Sequence, residues 1–276
     1  MMAGAAAGIG MDVREAKLRS GRQVELRICD TFGELDACVR LQGEVWGYEG
    51  KDIIPRRAFV VARHVGGQVM GAFEPQGGKL AGFAMALPGV KKREAGQTGA
   101  PRAYLHSHML AVDPAWRNEG LGQKLKLMQR EEALGRGIDR MEWTFDPLEG
   151  KNAYLNIHKL GVVVRRYLPD FYGVSSSRLQ NGLPTDRLLA EWNLDSDRVA
   201  SRLAGDSQPL PPIKERIMIP AEMTAWKAAG EVVRAREVQQ NNHRQFERAF
   251  TAGLAVVGFC RDEQGNGIYE LAEWPA

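Results

Sequence analysis

Cysteine is scarce in this chain. There are three, Cys29, Cys38 and Cys260, and no two form a Cys-x-x-Cys pair. An odd, widely spaced set argues against a disulfide scaffold and a thiolate zinc site. It fits a reducing compartment, so a cytoplasmic protein with three small core thiols is expected. Long apolar runs are missing too. No stretch nears the roughly 18 residues of a membrane span. Met1 to Gly10 is a Gly/Ala tract without a basic leader, so neither a signal peptide nor a membrane anchor is expected. Nor does one sign of charge dominate, since 37 Lys and Arg stand against 34 Asp and Glu. A net +3 is too weak a field to make nucleic acid the main partner. What remains is a 276-residue chain, 44% apolar and 26% charged, with ample material for a packed core. Its function has to come from a local site.

Residues 1–20 have no strand alternation and only a weak helical pattern, and read as a mobile N-terminal tail. Val24 to Ile28 then alternates as a half-buried strand, and Phe32 to Val45 carries helical spacing. The loop Trp46 to Pro55 is broken by two glycines and a proline and displays Glu49 and Asp52, two acids suited to drawing in the cation of an amine substrate. A short helix over 55–64 and a hairpin of strands over 68–73 and 80–87 follow. After a polar excursion over 91–102 come a strand over 103–112, a glycine loop, and a helix with Leu121, Leu125 and Met128 at helical spacing. A strand over 141–145, a short helix over 151–160 and a strand over 162–167 complete an α/β unit, residues 21–178. Residues 179–276 form a C-terminal extension. It opens with a stretch rich in polar residues, Gly and Pro, continues as a long helix over 221–250, and ends in strands over 254–261 and 268–271. Trp226, Val233, Phe246 and Phe250 lie along the helix, leaving a substrate lid and a homodimer interface both open.

The strand over 103–112 runs into Asp-Pro-Ala-Trp-Arg117-Asn118-Glu119-Gly120-Leu121-Gly122-Gln123 and a helix. A glycine loop at a helix N-terminus offers unpaired N–H groups and the positive end of a dipole, which suits a phosphate or pyrophosphate. Arg117 adds a fixed cation. The spacing is neither Gly-x-Gly-x-x-Gly nor a P-loop, which disfavours a dinucleotide or nucleoside triphosphate site. Residues 91–178 carry 15 basic and 10 acidic groups, so the basic excess coincides with this loop.

Val112-x-Pro114-x-x-Arg117-x-x-Gly120-x-Gly122, after a strand and before an amphipathic helix, resembles the acyl-CoA-binding motif of the GNAT superfamily of N-acetyltransferases. The resemblance covers about residues 24–173, and the remainder looks like that of a long bacterial branch of predicted acetyltransferases. It implies a mixed, mostly antiparallel α/β sheet with flanking helices, here followed by an α+β extension. It also implies an acyl-CoA, by default acetyl-CoA, wrapped by residues 117–123. Leu110, Ala111 and Val112 would pair their backbone with the pantetheine arm. Asn156 and Lys159 would contact the pantetheine or phosphates. The acceptor implied is the primary amine of a small molecule such as an amino acid. Succinyl-CoA as donor, and a non-catalytic acyl-CoA sensor, are the alternatives.

The family's usual general acid is a tyrosine three residues before Leu-Gly-Phe. Matching Leu160-Gly161-Val162 puts Ile157 there, and Tyr154, one turn earlier, is the substitute. Some members place a base on the strand eleven residues before the loop's arginine, which here is His106. His108 lies on the same strand face and is the runner-up. His-x-His is also a metal-ligand spacing, but no third ligand is placed by the sequence and no metal is expected.

Overall fold

The computed structural model describes residues 13–48, 50–76, 78–91, 101–206 and 209–275. Eleven strands join in one sheet: β1 (Arg14–Lys17), β2 (Gln23–Ile28), β3 (Gln68–Phe73), β4 (Leu80–Val90), β5 (Ala103–Val112), β6 (Arg140–Phe145), β7 (Val163–Leu168), β8 (Arg187–Asn193), β9 (Glu215–Ile219), β10 (Leu254–Arg261) and β11 (Gly267–Glu273). Their order is β1-β2-β3-β4-β5-β6-β8-β7-β10-β11-β9. Every pairing is antiparallel except β5 with β6. The fold is thus the mixed, mostly antiparallel α/β arrangement expected.

Helices α1 (Phe32–Trp46) and α2 (Arg56–His64) cover one face of β3 to β5. The start of α1 is written locally: Thr31 and Glu34 form a reciprocal capping box, with Thr31 Oγ1 accepting from Glu34 N at 3.3 Å and Glu34 Oε2 accepting from Thr31 N at 3.0 Å. On the other face, α3 (Leu121–Gly135) buries Leu121, Leu125 and Met128 against Met70, Ala72 and Ala84, the apolar stripe that its spacing predicts.

Helix α4 (Gly150–Ala153) continues as a π-helix over Tyr154–Lys159. Helices α5 (Asp197–Ala204), α6 (Met223–Ala229) and α7 (Val232–Thr251) follow.

Three expectations change. Residues 14–17 of the supposed tail are strand β1, paired with β2, while residues 1–12 lie outside the described residues. The boundary at 178 does not divide the sheet. Strand β8, from the polar and proline-containing stretch, inserts between β6 and β7 and completes the core. The long helix is broken at Gly230. Phe246 of α7 is wholly buried among Tyr167, Phe250 and Tyr269, so it packs on the sheet and belongs to neither a lid nor a dimer face. Val233 is exposed. Cys29 and Cys38 are core thiols 3.8 Å apart, while Cys260 is exposed on β10.

Candidate active site

The parallel contact between β5 and β6 is brief. Only Leu105 with Met141 and His106 with Glu142 are in register. Beyond His106 the strands part: β5 stays with β4 through Val112, and β6 stays with β8 through Phe145. From Ser107 onward, one edge of β5 therefore has no neighbouring strand among the described residues, and its peptide groups are open to an extended ligand. Leu110, Ala111 and Val112 lie along that edge.

At the mouth of this gap stands the glycine loop. A 3-10 turn over Pro114–Trp116 is capped by Asp113, which also pairs with Lys79 at 2.8 Å. Asn118 (φ 64°) and Gly120 (φ 85°) are both left-handed, and Gly120 is the N-cap of α3. Glycine takes such a φ without strain, and asparagine is among the few side chains that tolerate it. Among the described residues, the backbone N–H groups of Asn118, Glu119, Gly120, Leu121, Gly122 and Gln123 reach no protein acceptor. They open the helix where its dipole is positive. Arg117 is exposed and donates from Nε to Val112 O at 3.3 Å. The nearest side chains facing Gly122 are Leu110, Leu155 and Val112, an apolar throat beneath the loop.

The buttress of this loop comes from the segment read as a tail. Arg19 N donates to Glu119 O at 3.3 Å, and Ser20 N to Glu119 Oε2 at 2.9 Å. The Ser20 N–H holds the Glu119 carboxyl below the usual range. Arg22 lies over the Trp116 ring at 3.3 Å and donates to Ala115 O. Glu119 is therefore an anchor of the loop by its contacts.

His106 and His108 do project near one another, with ring centres 6.2 Å apart. They share that face as alternate residues of a strand do, and a β-bulge falls at the second of them. Met85 pairs with Met109 and Ala86 with Ser107, so His108 is the extra residue of β5. Before the bulge, Ser107 points to α3. After it, Met109 and Ala111 join the cluster under α1 and α2, and Leu110 and Val112 turn to α3. Burial, with His108 alongside, pushes His106 down to about 4, and burial lowers His108 too. Both rings are neutral proton acceptors near neutral pH.

Behind them, Lys126 of α3 is buried, 2.7 Å from Ser107 Oγ and 3.6 Å from the centre of the Trp143 ring, with no carboxylate partner among the described residues. Burial drives its ammonium well below the usual lysine value. Ser107 in turn donates to Gln129 Oε1 at 2.9 Å.

The side facing the histidines is built by two interlocked loops. Asp52 Oδ2 accepts from Ser176 N at 2.6 Å and Ser176 Oγ at 2.7 Å, and Arg178 N donates to Trp46 O at 2.9 Å. Gly47 (φ 67°) permits Arg178 to lie where a Cβ would stand, 2.1 Å from Nε. Asp52 thus ties the loops together. Glu49 lies outside the described residues.

Tyr172, on the second loop, is 6.4 Å from His108 and shares a 2.9 Å hydrogen bond with Thr144 Oγ1 of β6. Reasoning from sequence missed it, because only the β7–β8 connection brings it to the gap. Arg187, at the start of β8, sits 5.4 Å from the Tyr172 ring. Tyr154 stacks instead on His158 at 4.6 Å and stands 5.6 Å from Lys159 Nζ. Ile157, in the usual tyrosine position, is wholly buried in the core, as is most of Asn156. The wide turn, with Leu160 N bonded to Leu155 O, five residues back, sets which residues face inward.

Residues 39–161 match the family model described as "Acetyltransferase (GNAT) family". These residues form a GNAT-family acetyltransferase domain. The matched span starts inside α1 and ends before β7, and β1, β2, β7 and β8, which lie outside it, join the same sheet. No curated protein matches the chain. Among solved structures, the chain is similar to the ribosomal-protein-S18-alanine N-acetyltransferase from Escherichia coli, at 14% identity over 63% of this chain and 95% of that one, with a TM-score of 0.46. Arabidopsis thaliana NAA60 in complex with acetyl-CoA is similar at 14% identity over 62% and 99%, TM-score 0.48. Chaetomium thermophilum Naa20 in complex with a bisubstrate analogue is similar at 15% identity over 70% and 90%, TM-score 0.48. Among the described residues, no helix is long and apolar enough to cross a membrane, and no three His, Cys, Asp or Glu side chains gather as metal ligands would.

Proposed function

We propose that the chain transfers an acetyl group from acetyl-CoA to the primary amine of a small molecule such as an amino acid. The observation that carries this reading is the parting of β5 from β6 beside a loop whose N–H groups have no partner among the described residues. The residues present fit the donor. The N–H groups of 118–123 and the Arg117 guanidinium suit a pyrophosphate, and the open edge of β5 over Leu110 to Val112 suits an amide-bearing arm. Lys159 would supply a further cation for phosphate.

When bound, acetyl-CoA supplies the thioester carbon that the amine attacks. His106, with His108 beside it, takes the proton that the amine nitrogen loses as the C–N bond forms and the C–S bond breaks. A neutral imidazole accepts this proton directly or through a water. A backbone N–H on the open edge of β5 steadies the carbonyl oxygen as it gains charge. The thiolate then takes a proton from a tyrosine. Tyr154 answers the family's helix, but Tyr172 has the better support from geometry, being in ring contact with His108.

A non-catalytic acyl-CoA sensor is the second reading, favoured by the burial of Ile157 where the family's acid stands. The deciding experiment follows thiol release from acetyl-CoA and succinyl-CoA over a panel of amino acids and polyamines, with His106→Ala, His108→Ala and Tyr172→Phe alongside. Turnover lost in the histidine variants supports the acetyltransferase. Binding of acetyl-CoA without turnover of any amine supports the sensor, and no binding of either acyl-CoA sinks both. Faster release from succinyl-CoA would replace the donor.

A further inference from the structure

Away from the strand gap, residues of the C-terminal region build a second cavity of about 290 Å³, lined by Arg198, Arg202, Pro209, Leu210, Pro211 and Trp274. Its two cations stand one turn apart on α5. Arg198 is partly committed. Its Nε donates to Gly161 O at 2.9 Å and its Nη2 to Val257 O at 2.5 Å, and its guanidinium lies 5.2 Å from the Trp274 ring centre. These acceptors are neutral carbonyls and cancel no charge. Among the described residues, Arg198 Nη1 and the whole Arg202 guanidinium reach no acceptor, and neither arginine has an acidic partner.

The surroundings are basic as well. Burial and then Arg202 bring Arg198 down to about 10. Burial, followed by Arg202 and Lys159, lowers His158. No acid figures among the charges acting on either group. Two partly buried guanidiniums without a counter-charge are costly to assemble, and a ligand anion relieves that cost. Among the described residues, the rest of the wall is two prolines, a leucine and a tryptophan, surfaces that take a flat apolar body.

From this cavity we infer a second ligand site, separate from the glycine loop, for a small aromatic anion. A carboxylate or phosphate head sits between Arg202 and Arg198 Nη1, and a single ring lies against Trp274 and Pro211. The volume agrees, since it falls at the lower end of ligand pockets, which start near 300 Å³. A ring with one anionic head fits there, and a whole nucleotide coenzyme does not. Arginine is also the side chain best suited to reading such a head, by its paired donors.

The test is calorimetric titration of the full chain with phenyl phosphate, phenylacetate and inorganic phosphate, with and without saturating CoA. One equivalent of at least one aromatic anion is expected to bind. Inorganic phosphate should be weaker by about tenfold or more, and CoA should leave the aromatic affinity unchanged. Arg202→Gln should weaken the aromatic anion by about tenfold, the size of a lost charge-assisted hydrogen bond. Trp274→Leu should weaken it while leaving inorganic phosphate as before. Each variant is compared at an unchanged melting temperature, and whichever of the two retains it carries the comparison. Four outcomes overturn the inference: no saturable binding of either aromatic anion up to about 10 mM, equal affinity for inorganic phosphate, displacement by CoA, or unchanged affinity in both variants.

Discussion

Replacing Lys126 by methionine tests the electrostatics beneath the strand gap. The amine would have to ionise in the core, where its partners among the described residues are the Ser107 hydroxyl at 2.7 Å and the Trp143 ring face. Burial therefore leaves the folded amine neutral well below its ordinary range. In the unfolded chain the same lysine keeps its proton up to about pH 10.4. Between the depressed folded value and that limit, the unfolded state binds one proton more than the native state. Wild-type stability must then rise with pH, by up to about 1.4 kcal/mol per unit for one proton. Methionine carries no proton, so the variant lacks this slope. Its loss of the donor to Ser107 costs about 1 kcal/mol at every pH, and its unbranched chain still packs on Trp143. Urea unfolding of both proteins at pH 7, 8 and 9 isolates the effect, because all other titrations cancel in the difference. The wild type should gain on Lys126→Met by up to about 3 kcal/mol over those two units. A difference that stays constant with pH would show the native lysine to be protonated, and the account of a neutral buried amine would fail.

Three further outcomes follow from the same structure. Gly120→Ala places a Cβ on a residue at φ 85°. It should cost about 1–2 kcal/mol in thermal or urea unfolding and weaken acetyl-CoA in calorimetry, whereas Gly137→Ala, also at positive φ (74°) but far along the chain from the loop, should cost stability alone. Phe246→Ala empties a fully buried site shared by Tyr167 of β7 and Tyr269 of β11. A loss of about 3–5 kcal/mol is expected, in one transition seen alike by fluorescence and circular dichroism; separate transitions would mean that the C-terminal strands fold independently. His106, held near 4 by burial and His108, is neutral at every pH above that, so its proton-accepting form disappears only on acidification toward 4. A kcat/KM profile falling near pH 6.5, with that fall abolished in His106→Ala, would refute the shift.

Much of the fold was legible because the relevant signals are local. The capping box at Thr31 and Glu34, the alternation of β2 and the stripe of α3 each lie within one element, and the structure contains all three. The glycine loop was legible for the same reason: its left-handed turn and free N–H groups follow from consecutive residues. Strand β8 was missed although Leu188-Leu189-Ala190-Glu191-Trp192 is a short apolar run of the kind that marks a buried strand. Its charged member hid it. Glu191 is buried there because Arg140 of β6 and Arg165 of β7 neutralise it from both sides, a pairing that only the assembled sheet supplies.

By itself, then, the sequence determined most elements of the α/β core, β1 and β8 excepted, and the glycine loop that opens α3, since these depend on near-neighbour residues. Tertiary structure alone decided how that loop is held and what stands opposite the gap. Glu119 is anchored by residues 19 and 20, about a hundred positions away. The bulge at His108 exists only because β4 and β5 pair with a shifted register. Tyr172 and Asp52 meet the site through loops that lock together by Ser176. Such contacts are set by which strands lie side by side, and the burial they create, more than the residue types alone, gives His106 and Lys126 their unusual proton affinities.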